Sequence, residues 1–302
     1  MAKSASKPLT EAEADALDAA QELIYEAVEA PTAKARASLA KRALALSPYC
    51  ADAHGILAAA AKADSDQALA HWQAGVAAGK AALGPDYEEY VGEFWGYLET
   101  RPYMRALFGL AWALWLRGQR DEAIAHLQEM LVLSPNDNQG VRYILAAWLT
   151  ETNQDVALSA LLKAYKDDSS AEWAWTKALA SFRGRGDTVT SRTVLRKACA
   201  ENAFVAEYLL GQRPVPKARP MFLMPGQRDE ATHYVQQYGG GWRTTEGALE
   251  WLAIQVASIV PTDRKSGNKH TDAAVPKKPA RKTKTGAALK KMSMMTSKAP
   301  KP

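Results

Sequence analysis

The residues in this chain able to do chemistry are five histidines, two cysteines and scattered carboxylates, and their spacing decides what each could do. His54, His71, His126, His233 and His270 fall on separate elements. None has a second histidine three or four residues on, the spacing that sets two imidazoles on one helical face for a metal. Cys50 and Cys199 lie in separate helical patterns outside any CxxC pair, so a reducing cytoplasm is the expected compartment. GxSxG, HExxH and GxxxxGK are all missing. Gly239-Gly240-Gly241 has no Lys-Ser/Thr after it and reads as a flexible turn, not a phosphate loop. Arg185-Gly186-Asp187 spells an adhesion tripeptide, yet Gly and Asp are also what a turn between helices needs. No catalytic, cofactor or metal site is expected, and the protein reads as a non-enzyme.

The elements that must position any remaining site are helices. Residues 94–137 hold a helical hairpin whose leucines Leu107, Leu110 and Leu114 recur at helical spacing, with Ala111 and Ala123 where two helices cross. Arg117-Gly118-Gln119 supplies the turn, since Gly118 can take the left-handed conformation, and Pro135 closes the second helix. Numbered from Met104, this is one tetratricopeptide unit. A single hairpin cannot bury both its faces, so it demands neighbours.

Those neighbours are legible on both sides. Residues 13–30 and 33–46 pair before Pro48, residues 51–63 and 66–83 before Gly84-Pro85. Residues 138–149 with 155–166, and 171–182 with 188–200 around Arg183 to Gly186, continue the pattern after it. Residues 203–252 depart from it, with a helix stub, a proline-rich extended segment and two short helices broken by the glycine run. An atypical terminal unit that covers an apolar end is expected of a repeat array. The fold expected is all-α: a TPR-like helical-hairpin solenoid over 13–202, an irregular C-terminal helical cap over 203–260, a flexible N-terminus over 1–12 and a disordered Lys-rich tail over 261–302.

The net charge of +5 hides a partition. Residues 261–302 carry 12 Lys and Arg against 2 Asp and Glu, which leaves 26 against 31 in residues 1–260. The tail lacks the apolar residues that would offset its ordering entropy. The start of the chain has no apolar core of a signal peptide, and the longest apolar run, Leu107 to Leu116, is far shorter than a bilayer needs. No membrane partner is expected.

Several stretches resemble the suppressor of tumorigenicity 7 family and its soluble bacterial tetratricopeptide relatives: LAKRALALSPYCADAHGILA (39–58), DQALAHWQAG (66–75), GQRDEAIAHLQEML (118–131), NAFVAEYLLGQRPVP (202–216) and RDEATHYVQQYGGGWRTTEGALEWL (228–252). The resemblance spans residues 35–252, and the last two stretches are its most specific part. It implies a helical repeat fold, and the family offers no established enzymatic activity to carry over to a residue here. The membrane segments of eukaryotic members have no counterpart in these residues.

Two binding sites are therefore expected. Tetratricopeptide arrays present the second, fifth, ninth and twelfth positions of the first helix to a groove. Here those are Arg105, Phe108, Trp112 and Trp115, with Arg142 at the fifth position of the next unit. Tryptophan, phenylalanine and arginine are common binding hot spots, so a protein or peptide partner is the leading expectation. The competing expectation is that these aromatics pack beneath Phe94-Trp95-Gly96-Tyr97. The second site is the tail, where Lys277, Lys278, Arg281, Lys282, Lys284, Lys290 and Lys291 suit non-specific contact with the phosphates of a nucleic acid.

Overall fold

The computed structural model describes residues 7–259. Among them it is all-helical, with thirteen α-helices, two 3-10 turns and no strand. The chain divides at His126 and Leu127 into two compact units. The tail over 261–302 and its basic residues lie outside the described residues.

The first unit begins with α1 (Glu11–Glu29), which starts inside the stretch expected to be a flexible N-terminus. The reason is local. Thr10 accepts from the Glu13 N–H while the Glu13 carboxylate takes the Thr10 N–H, a reciprocal cap that satisfies two orphan donors. α2 (Ala33–Leu46) packs back on α1, and α3 (Ala51–Ala60) follows. Ala20, Ile24, Ala27, Ala40, Ala43, Ala53 and Ile56 form their shared core. Alanine dominates this core because it lets helix backbones approach closely.

α4 (Asp66–Leu83) lies between α3 and α5 (Arg101–Leu116), and its glycines set the distance. A Cβ on Gly75 would stand 3.2 Å from the His54 Cβ and 3.3 Å from the Ala106 Cβ; one on Gly79 would stand 3.0 Å from the Tyr103 backbone. On α5, a Cβ at Gly109 would overlap the ring of Trp72. Between α4 and α5 the chain passes through two 3-10 turns, Gly84–Glu88 and Phe94–Gly96. The Thr100 hydroxyl is held between the carbonyls of Phe94 and Tyr97. Phe94, fully buried, takes the edges of Tyr87 and Tyr90 and packs on Tyr103. This aromatic knot explains a non-repeat insertion that periodicity alone leaves blank. After α5, Gly118 turns the chain with φ 80° into α6 (Arg120–Leu133), as its position predicts.

The second unit holds the end of α6, then α7 (Val141–Glu151), α8 (Asp155–Ala164), α9 (Ala171–Arg185), α10 (Val189–Glu201), α11 (Phe204–Leu209), α12 (Arg228–Thr244) and α13 (Ala248–Ile259). Two expectations are corrected here. Arg183 to Arg185 continue α9, and only Gly186, at φ 64°, makes the turn. The three glycines do not break the chain into two short helices either: α12 runs through them unbroken. The cause is packing. A Cβ on Gly241 would overlap Thr150 of α7 and press on Leu179 of α9, so glycine is what lets α12 lie against both. The helix penalty of roughly 1 kcal/mol per glycine is offset by that contact.

Aromatic rings fill the space beneath α12. Tyr234 and Tyr238 stack at 4.8 Å, and the Trp242 indole N–H donates to the Tyr234 hydroxyl at 2.9 Å. Trp175 lies edge-on to Trp242 and donates its own N–H to the Asn202 carbonyl at 3.1 Å. Arg183 ties the helices together from the side. Its guanidinium donates to Thr245 (2.7 Å), the Thr150 carbonyl (3.0 Å), Asp155 (3.1 Å) and the Gly241 carbonyl (3.3 Å).

Candidate functional site

In the first unit, α1, α3 and α5 meet along a line of polar side chains. Asp52, in the first turn of α3, takes the Arg105 Nε–H at 2.8 Å and its Nη2–H at 2.5 Å, a forked pair that fixes both planes. Gln21 of α1 donates to the same carboxylate at 3.3 Å. Burial would lower the Arg105 pKa, but the Asp52 charge and hydrogen bonds outweigh it and hold the guanidinium firmly charged. Tyr25 of α1 is exposed beside them.

Farther along α5 come the aromatics. Phe108 and Trp112 are half-buried and stack on one another, with ring centroids 6.4 Å apart and planes at 27°. Trp115 is different: only 8% of it is exposed, and the Arg120 guanidinium sits 3.7 Å over its ring. Phe94, the expected cover, packs instead on Tyr87, Tyr90 and Tyr103.

Arg142 belongs to the second unit and is spoken for. It bridges Asp168 at 2.9 Å and Asp137 at 3.0 Å, donates to the Tyr143 hydroxyl at 2.7 Å and lies over the Tyr143 ring. Asp137, at φ 50°, also accepts the Val141 and Arg142 N–H groups and so caps α7, whose preceding Gly140 has no side chain to do it. Burial raises the Asp137 pKa against those hydrogen bonds. At Asp168 burial also raises the pKa, but hydrogen bonds from Ser170, Tyr143 and Arg142 win and lower it.

Of the five groove candidates, the structure thus brings four onto α5 and leaves two, Phe108 and Trp112, as partly exposed aromatics. Arg105 and Arg142 are each engaged by carboxylates of their own unit.

Other clusters were not foreseen. His54 and His71, on separate elements as expected, nonetheless face each other across α3 and α4 with Nδ1 atoms 3.5 Å apart, and burial followed by the neighbouring imidazole lowers the His54 pKa. Glu172 and Glu230 are buried together in the second unit. Glu230 accepts from Asn202 (2.9 Å) and the Gly226 N–H (2.7 Å). Glu172 is pushed up to about 7, first by burial, and its oxygen lies 3.6 Å from His233, itself lowered by burial. Burial opposes the charged form of each partner, so this 3.6 Å contact is weaker than a fully charged ion pair. No group of three or more metal-ligating side chains occurs among the described residues. Asp187 of the adhesion-like tripeptide is occupied by Arg192 and by the Trp251 N–H at 2.9 Å. The thiols of Cys50 and Cys199 are each raised by burial to about 11 and make poor nucleophiles.

No known protein family, curated protein or solved structure matches this chain.

Proposed function

We propose that the protein is a tetratricopeptide-like interaction scaffold that binds a protein or peptide segment and performs no catalysis. The observation that carries this reading is the stacked, partly exposed pair Phe108 and Trp112, mounted on α5 beside the Arg105–Asp52–Gln21 line shared by α1, α3 and α5. Aromatic rings held rigid next to an already neutralised charge lose little entropy on binding and need little desolvation. The hairpin register, the solenoid with its C-terminal cap and the resemblance to the suppressor of tumorigenicity 7 family belong to the same proposal. Cys50 and Cys199 are free thiols, in keeping with a cytoplasmic setting.

A peptide-library selection on the full chain tests it. Selected ligands should bind a Phe108→Ala, Trp112→Ala variant at least tenfold more weakly, about 1.4 kcal/mol or more, with the melt little changed. Equal binding by the variant would refute the site.

The charge partition favours a second reading, a nucleic-acid-associated accessory protein tethered through the tail lysines and arginines. Salt-dependent binding that is lost with residues 261–302 would support it.

A further inference from the structure

Residues 213–228, RPVPKARPMFLMPGQR, contain Arg213, Lys217, Arg219 and Arg228 and no acidic residue. Arg213 and Arg228 pair with Glu207 at 3.1 and 2.8 Å, while Lys217 and Arg219 stand exposed. Both ends of the segment are fastened to the second unit. Gln236 donates to the carbonyls of Pro216 (2.6 Å) and Ala218 (3.2 Å). On the far side the Met224 N–H donates to Asp229 (2.8 Å), the Gly226 N–H to Glu230 (2.7 Å), and Asn202 donates to the Gln227 carbonyl (2.8 Å). Between these anchors Met221, Phe222, Leu223 and Met224 are 83, 72, 43 and 59% exposed.

Four consecutive exposed apolar side chains on a hydrogen-bonded mount bury little surface within the unit, and an apolar patch of this kind marks a binding surface. We propose that it is a membrane-surface anchor, which places Met221 to Met224 in the interfacial layer of an anionic bilayer with Lys217 and Arg219 at the headgroups. Three observations favour a bilayer over a protein groove. A groove takes one side of a non-helical segment, whereas here all four successive side chains are apolar and exposed, which suits a medium that surrounds them. Pro220 and Pro225, which flank the tip, carry no N–H, and the Met224 N–H is already taken, so the donors left at Met221, Phe222 and Leu223 suit a shallow position where headgroups and water can meet them. The cations call for an anionic surface, and the chain's own residues 261–302 are themselves strongly basic, so they would be repelled. No helix among the described residues is long and apolar enough to cross a membrane, but interfacial insertion needs a depth of only about 5–10 Å.

The test is co-sedimentation of the full chain with vesicles of phosphatidylcholine alone or with about 30% phosphatidylserine. Binding to the anionic vesicles should fall about tenfold or more in Met221→Asp, Phe222→Asp and comparably in Lys217→Glu, Arg219→Glu, with circular dichroism and melting unchanged because all four positions are exposed. Both variants keep the basic tail. Undiminished binding would therefore assign the attraction to the tail and overturn the anchor, as would failure of the wild-type chain to bind either vesicle.

Discussion

Glu172 is the residue whose surroundings most constrain its chemistry. Burial, then the nearby Glu230 and Asp168, raise its carboxyl to about 7 in the folded chain, while unfolding returns it to the ordinary carboxylate range. A group whose folded pKa is raised contributes stability that is complete below the unfolded value and lost as pH rises through the folded one. The window here runs from about 4.5 to about 7. His233, lowered by burial, works in the opposite sense as pH falls, so the Glu172 part is isolated by comparison with a variant. Glu172→Gln, neutral at every pH, should be more stable than wild type at pH 8 by about 2 kcal/mol and show little advantage at pH 4.5, as read by chemical denaturation at both pH values. Arg105 supplies a second case. Arg105→Met leaves the Asp52 carboxylate, with only 12% of its side chain exposed, without its forked partner. A loss of about 2 kcal/mol is expected, most of it recovered in the double variant with Asp52→Asn.

At the scale of elements, glycine decides how closely helices approach. The run in α12 holds its own control. Gly240 has open space where a Cβ would go, while Gly241 meets Thr150. Gly240→Ala should therefore stabilise by about 0.5–1 kcal/mol through helix propensity alone. Gly241→Ala gains the same propensity but must push α12 off α7, and a net loss of about 1–3 kcal/mol is expected. Gly109→Ala, aimed at the Trp72 ring, should lose a similar amount. Thermal melts of the three variants check the set, and a stabilised Gly241→Ala would show that α12 and α7 approach less closely than the overlap of that Cβ with Thr150 implies. Ala111 and Ala123, both fully buried, belong with them: leucine at either should cost about 1–3 kcal/mol.

For the molecule as a whole, the separation of charge is the governing fact. Residues 261–302 bear ten net positive charges beside five net negative ones in residues 1–260. A nucleic acid is a far denser line of charge than scattered carboxylates, so an available polyanion should win the tail. If about five of its cations meet phosphates, log affinity should fall with log salt at a slope of roughly −3 to −5 and with little regard for base sequence. Filter binding at two salt concentrations, on the full chain and on one lacking 261–302, reads this. Binding that survives truncation or ignores salt would dismiss the second reading.

The amino-acid order by itself determined the helices and most of their ends, because those signals are local. Thr32, Ser65, Ser170 and Thr188 cap by reaching their own next turn, and Gly118 reverses the chain by its own freedom. It also determined the charge partition, which needs no fold at all. The same locality failed at Gly239 to Gly241, where intrinsic preference says turn and the approach of α12 to α7 says helix. The length of apolar runs speaks only to crossing a bilayer, and it is silent on the exposed tip at Met221 to Met224, which the proposed anchor would use. What only the tertiary structure decided is the use made of each polar or aromatic side chain. Arg105 finds Asp52 fifty-three residues away, Arg142 is divided between Asp137 and Asp168, and Trp115 is buried while Phe108 and Trp112 keep an exposed edge. Helical spacing places such residues on a face. Which neighbour then covers that face depends on helices distant in sequence, and no local pattern encodes their arrival.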